Sequence, residues 1–85
     1  MRIKYSDQAL KFLTKQRKQD AKKITSKIEP YTEDPMALQN LVKKLTNSIY
    51  FRLRVGNYRV IFSETGEVMK IEKIGNRGDV YREYR

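Results

Sequence analysis

The amino-acid sequence predicts an α+β domain in which two N-terminal helices pack on an antiparallel sheet of three to four strands. Apolar residues recur at helical spacing in the N-terminal half, whereas from Ser48 onward they alternate with polar residues. Glycine-containing turns divide the alternating part into short strands. Helices followed by strands are typical of α+β folds. The 85 residues are expected to form one domain, residues 1–85.

The N-terminal half begins with a strand-compatible segment, residues 2–5, and then becomes helical. Ser6 or Asp7 can cap the first helix, whose apolar stripe consists of Ala9, Leu10, Phe12 and Leu13. Asp20 is predicted to cap a second helix, in which Ile24 and Ile28 lie on one face. This helix can continue past Pro30 with a bend, and it stops at Asp34-Pro35.

Residues 36–48, MALQNLVKKLTNS, are predicted to form a partly helical connection. Leucines at 38, 41 and 45 have helix-like spacing. Leu41 and Leu45 are expected to pack on the sheet, while Lys43 and Lys44 face solvent or a ligand.

Three strands are predicted after Ser48. The first places Ile49, Phe51, Leu53 and Val55 on the core side and Tyr50, Arg52 and Arg54 on the other. Gly56-Asn57 suits a two-residue turn with glycine at the first central position. The second strand carries Tyr58, Val60 and Phe62 on the core side, and the third spans residues 68–74. The remaining tail is an edge strand, a short helix or a flexible end.

Composition restricts the chemistry that this chain can perform. It contains no cysteine and no histidine, so thiolate chemistry, the usual zinc ligands and the commonest general base are absent. The carboxylates are scattered, so no metal site and no cofactor is expected. The formal charge of +9 points to nucleic acid or an acidic protein, and less to an anionic membrane surface. Without a signal peptide or a membrane span, a cytoplasmic location is expected.

Three arginines on one patch of the predicted hairpin are the most informative feature. Arg54 faces Arg59 across the two strands, with Arg52 one step further along, and like charges in such positions repel each other. A phosphate between them would convert repulsion into shared attraction, because guanidinium binds phosphate bidentately. Arg77 and Tyr81 can point toward the same concavity. The competing interpretation is an ordinary solvent face, with the arginines paired to Glu64, Glu67 or Glu72.

The run YFRLRVGNYRVIF followed by KIEKIGNRGDVY resembles the sheet motifs of the RelE/ParE toxin superfamily, and the resemblance extends over essentially the whole chain. It implies a RelE-like microbial RNase fold. It also implies catalytic roles for Arg59, Arg77 and Tyr81. The implied substrate-binding residues are Arg52 and Arg54. The residues themselves add Tyr50, which can stack on a base, and Lys43 and Lys44, which can face a ligand. There are three departures from the family pattern: Tyr50 stands in place of a lysine, Asn76 stands in place of a histidine, and the spacing from Arg77 to Tyr81 is shorter than in some relatives.

The resemblance implies a toxin of a type II toxin–antitoxin module. The RelE branch cuts mRNA in the ribosomal A site through attack of the 2′-hydroxyl, without a metal. A toxin of this kind has a cognate antitoxin as partner, contacts the ribosome and mRNA, and is expected to touch 16S rRNA through its basic helices. Two alternatives stay open: a ParE-like gyrase inhibitor without nuclease activity, and an inactive RNA-binding relative.

Overall fold

The computed structural model describes residues 1–76, which contain two α-helices, one 3₁₀ helix and five β-strands. In chain order they are β1 (Arg2–Tyr5), α1 (Asp7–Lys15), α2 (Lys18–Glu33), the 3₁₀ helix (Pro35–Leu41), β2 (Val42–Lys44), β3 (Phe51–Val55), β4 (Tyr58–Glu64) and β5 (Val68–Asn76). The predicted α+β class is confirmed.

The strands form one mixed sheet in the order β1-β5-β4-β3-β2. Strands β2 to β5 pair antiparallel, whereas β1 runs parallel to β5, with Arg2 beside Val68. The prediction of three to four antiparallel strands therefore missed the parallel pair. Parallel pairing between the two ends of a chain depends on the whole fold and leaves no local signal.

The connection before the hairpin is only partly helical, as predicted, and Lys43 and Lys44 are exposed, as predicted, but both belong to a strand that was not predicted. The 3₁₀ helix ends at Leu41, and Lys43 and Lys44 belong to the edge strand β2. This three-residue strand pairs with β3, with Lys43 opposite Arg52, and such a short edge strand is difficult to recognise from sequence.

The two helices begin differently. Ser6 caps α1, its hydroxyl accepting a hydrogen bond from the amide of Ala9 at 3.1 Å, as predicted. The predicted cap of α2 at Asp20 is wrong, because that helix begins at Lys18 and Asp20 lies in its first turn. There the carboxylate still complements the positive end of the helix dipole. Helix α2 continues past Pro30 to Glu33.

The core lies between the helices and one face of the sheet. Ile24, Ile28 and Tyr31 of α2 pack there with Leu53, Val60 and Phe62. The Tyr31 and Phe62 rings meet edge to face at 5.2 Å between their centroids. The prediction that Ile49 joins this core is wrong: β3 begins at Phe51, and Ile49 is 70% exposed.

A β-bulge interrupts the pairing of β4 with β5. Ile61 lies opposite Lys73 and Phe62 opposite Ile71, so Glu72 is the extra residue. The apolar residues of β5 that reach the core, Met69, Ile71 and Ile74, accordingly change their spacing from two to three. As a result Glu72 and Lys73 both lie on the face away from the helices.

Within residues 1–76, neither α-helix combines the length and the apolar composition that crossing a bilayer requires.

Candidate functional site

The sheet face that points away from the helices, called the outer face below, carries basic residues on four adjacent strands. Residues directly opposite each other on antiparallel strands share a face. One row across the sheet consists of Lys43, Arg52, Ile61 and Lys73. The next consists of Arg54, Arg59 and Gly75. The predicted grouping of Arg52, Arg54 and Arg59 on one face is confirmed, and Lys43 joins it.

The β3–β4 hairpin produces this grouping. Val55 pairs with Tyr58, so the turn has the two central residues predicted, and Gly56 adopts a positive φ of 58°. That conformation favours glycine and matches the twist of the flanking strands. The turn fixes the register in which Arg54 lies opposite Arg59. On the other side of Arg59, Gly75 contributes no side chain to the face.

The Arg59 guanidinium is anchored at one of its nitrogens. Nη1 donates to the carbonyl oxygens of Gly56 at 2.8 Å and Tyr58 at 2.9 Å. Its Nη2 and Nε donors make no hydrogen bond within the described part of the chain. The group is thus oriented by the turn and keeps donors for a ligand, and two parallel N–H groups suit phosphate oxygens.

Arg52 offers a second unsatisfied donor. Its Nε is buried and has no hydrogen-bond partner among residues 1–76. A buried donor without a partner costs about 1–3 kcal/mol. Native structures contain few such groups, and a catalytic role or a bound water or ion is among the explanations of those that occur.

The carboxylates near the sheet do not compensate these arginines. Glu72 forms an ion pair with Lys70, with 3.7 Å between Nζ and Oε1. Glu64 instead accepts a hydrogen bond from the Tyr31 hydroxyl at 3.2 Å. The interpretation in which Glu64, Glu67 or Glu72 neutralises the arginines is therefore not supported for the described residues.

The two remaining predicted binding residues in the described part of the chain are Lys44 and Tyr50. Lys44 pairs with Phe51, whose ring packs against the core, so Lys44 projects toward the helix side. Tyr50 precedes β3; its amide donates to the Ser48 hydroxyl at 2.9 Å, and its carbonyl accepts from the amide of Leu45 at 2.9 Å. The predicted catalytic residues Arg77 and Tyr81 lie outside the described residues.

Two polar residues, Ser6 and Gln8, hold the end of β5 next to the cluster, a role that the sequence did not predict for either. The side-chain amide of Gln8 donates to the carbonyl of Ile74 and accepts from its amide, both at 3.0 Å. The Ser6 hydroxyl donates to the carbonyl of Glu72 at 2.7 Å. The start of α1 thus supplies hydrogen-bond partners to backbone groups of β5 in the part of that strand that extends beyond the end of β1. A polar residue in the first turn of a helix carries no sequence signal for this role.

Among the described residues, no group of three or more carboxylates could hold a metal ion. What residues 1–76 offer instead is fixed positive charge and oriented guanidinium donors. This arrangement can bind a phosphodiester and stabilise additional negative charge on it.

Comparisons with known proteins agree with this description. Residues 3–81 match the family described as ParE toxin of type II toxin-antitoxin system, parDE. No curated protein sequence matches the chain significantly.

Several solved structures are similar over nearly the whole chain. The archaeal RelE–RelB complex from Pyrococcus horikoshii has a TM-score of 0.75 and 29% identity, covering 93% of this chain and 97% of that one. The intact E. coli RelBE toxin–antitoxin complex has a TM-score of 0.71 and 18% identity, covering 91% and 96%. YafQ from E. coli has a TM-score of 0.70 and 22% identity, covering 91% and 94%.

Proposed function

The chain belongs to the family of ParE toxins of type II toxin–antitoxin systems, and we propose that it is a ribosome-dependent mRNA endonuclease. The observation that carries this proposal is the set of Arg52, Arg54 and Arg59 on one sheet face without a carboxylate partner in residues 1–76. An inhibitor that acts only by binding another protein has no need of such a convergent group of phosphate ligands.

The proposed reaction is metal-independent transesterification. The 2′-oxygen forms a bond to the adjacent phosphorus, and the bond from phosphorus to the 5′-oxygen breaks. The 2′-hydroxyl proton leaves to a base, and the departing 5′-oxygen gains a proton. The products are a 2′,3′-cyclic phosphate and a 5′-hydroxyl end, so the reaction consumes no water in this step.

Arg59 would contribute most to this reaction. The turn already orients its guanidinium through Gly56 and Tyr58, so little reorganisation accompanies the rise of negative charge on the phosphorane. Arg54 and Arg52 would hold the non-bridging oxygens, with Lys43 extending the positive surface along the row. Tyr50 would stack on a base.

The proton transfers are assigned through the family resemblance alone. Tyr81 would take the proton of the 2′-hydroxyl, and Arg77 would stabilise the transition state or protonate the leaving oxygen. The ordinary pKa of tyrosine is about 10, so Tyr81 needs nearby cations to act as a base at neutral pH. Ordering of the message by the ribosome would supply much of the remaining rate.

The proposed partners follow from the same family. A cognate antitoxin, acidic in its toxin-binding segment, would cover the basic surface, as the RelB chains accompany RelE in the similar complexes. The ribosome and mRNA would be the targets, with 16S rRNA meeting the basic helices. A cytoplasmic site of action follows from these targets.

The test is inhibition of translation by purified protein in a bacterial translation reaction. Wild-type protein should stop synthesis, and Arg59→Ala should be at least about 100-fold weaker, the loss typical of removing one oriented transition-state donor. Arg2→Ala is the control, because this exposed arginine pairs with Val68 at the opposite end of β5. Equal potency of Arg59→Ala and wild type would contradict the proposed site.

A gyrase supercoiling assay separates the remaining alternative. A ParE-like inhibitor would block supercoiling and leave translation of a preformed message intact. The endonuclease should leave supercoiling unaffected and should stop translation of the preformed message.

A further inference from the structure

A surface depression lies between helix α2 and the end of the β3–β4 hairpin. Its volume is about 550 Å³. Its basic residues are Lys23, Lys27, Arg54 and Arg59, and its remaining lining residues are Leu41, Val55, Gly56 and Asn57. Among residues 1–76, four basic side chains and no carboxylate therefore line the depression around a small apolar floor.

Lys23 of α2 and Arg59 of β4 both approach Gly56. The Nζ atom of Lys23 lies 3.8 Å from the position that a Cβ at Gly56 would occupy. The Nη1 atom of Arg59 lies 2.8 Å from the Gly56 carbonyl oxygen. A lysine of the helix layer and an arginine of the outer face thus approach the same turn residue, so the positive surface continues around the end of the hairpin.

The placement of Lys23 and Lys27 adds to this charge. Residues four apart on a helix are neighbours, and like charges at that spacing destabilise the helix. Both side chains are exposed on α2, and both face the hairpin arginines across the depression. The site therefore concentrates repulsion that a bound anion would relieve.

We propose that the depression holds a second backbone phosphate of the RNA strand whose scissile phosphate lies at Arg54 and Arg59. The proposal rests on the proposed function for the identity of the ligand. Lys23 and Lys27 then belong to the substrate track: a phosphate next along the strand leaves the outer face, passes the Gly56 turn and reaches α2. A basic groove that follows the backbone is the usual way in which proteins hold single strands.

The test compares two double variants of α2 that change charge equally. Lys23→Gln with Lys27→Gln alters the depression. Lys18→Gln with Lys22→Gln alters two exposed lysines of the same helix at the same spacing that do not line it. Circular dichroism melts should show that both variants fold, because each substitution pair removes a like-charge neighbour.

Binding is measured against salt concentration, using a short single-stranded RNA whose 2′-O-methyl groups prevent attack on phosphorus. Each phosphate contact to a single strand contributes about 0.7 to the slope of log K against log salt. The magnitude of the slope should be smaller by about 0.7 for the Lys23/Lys27 variant than for the Lys18/Lys22 variant, because one phosphate contact is lost. Equal slopes of the two variants would overturn the proposal.

A parallel measurement with small ribosomal subunits that carry no message separates the two sources of an RNA phosphate. If the Lys23/Lys27 variant loses affinity for the subunits only, the ligand is structured ribosomal RNA and the placement on the substrate strand is wrong. Cleavage is assayed separately. If the Lys23/Lys27 variant has a smaller salt slope but the wild-type protein cuts no message, the endonuclease is refuted and the second phosphate site stands. If the wild-type protein cuts the message but the slopes of the two variants are equal, the endonuclease stands and the second phosphate site is refuted.

Discussion

Tyr31 and Glu64 form a polar contact at the edge of the core. The Tyr31 side chain is 5% exposed, and its hydroxyl donates to Oε1 of Glu64 at 3.2 Å. The other carboxylate oxygen, Oε2, is buried and has no partner among the described residues. Burial, followed by the negative charge of Glu64 and this hydrogen bond, raises the pKa of Tyr31 to about 12.

This pKa predicts a loss of stability at high pH. An unfolded tyrosine releases its proton near pH 10, whereas Tyr31 in the folded protein keeps it until about pH 12. The unfolded state therefore binds fewer protons in this window, and the free energy of unfolding falls as pH rises. Below pH 10 the contribution is fully present.

Tyr31→Phe isolates the effect. At neutral pH the variant should be less stable by about 1–3 kcal/mol, because Glu64 loses its donor. Urea unfolding from pH 8 to 12 should give a difference between wild type and variant that is constant at first and shrinks above pH 10. A difference that stays constant through pH 12 would contradict the assignment.

At the same scale, Arg59 illustrates what sequence could and could not predict. Its strand position and its register opposite Arg54 follow from alternation and from a two-residue turn, both of which are local. The anchoring of Nη1 by the Gly56 and Tyr58 carbonyls does not, because side-chain torsions depend on the complete environment. The unpartnered Nε of Arg52 is likewise visible only in three dimensions.

Among the elements, the β3–β4 turn governs the site most directly. The φ of Gly56 is 58°, and a Cβ there would meet Lys23 at an ordinary contact distance of 3.8 Å. Substitution at Gly56 is therefore limited by the backbone conformation and not by space. Asn47, with a φ of 53°, is another residue in this region of conformational space, and asparagine tolerates it better than alanine does.

Gly56→Ala should consequently destabilise the protein by about 1–2 kcal/mol, the typical cost of a left-handed conformation for a residue with a Cβ. Gly56→Asn should cost clearly less. Urea unfolding of both variants measures this order, with Gly66→Ala as the control, because no atom lies within 4 Å of a Cβ there and Gly66 has no positive φ. If Gly56→Asn destabilised the protein as much as Gly56→Ala, the positive φ would not be what limits substitution at this position.

The elements that sequence predicted well are those formed by neighbouring residues. The Ser6 cap, both helices and the β3–β4 hairpin depend on patterns a few residues long. Strand β1 pairs with β5 across almost the whole chain, and β2 forms only against β3. The bulge at Glu72 was not predicted, because a bulge and an irregular strand end give the same apolar spacing from Ile71 to Ile74.

For the molecule as a whole, the separation of the two sheet faces explains how a chain of 85 residues can contain both a hydrophobic core and a basic surface. One face and α2 form the apolar core, while the basic row from Lys43 to Lys73 and the hairpin arginines occupy the other face. The formal charge of +9 predicted an anionic partner but not its location. The location required the strand order β1-β5-β4-β3-β2, which brings four basic strands together.

The central claim is that this surface cuts a message that the ribosome presents. The most direct test is primer extension on one defined mRNA in a bacterial translation reaction, with and without the protein and with and without ribosomes. The endonuclease predicts new 5′ ends within the A-site codon that require ribosomes and disappear with Arg59→Ala. Intact message at protein concentrations that saturate ribosome binding would contradict it.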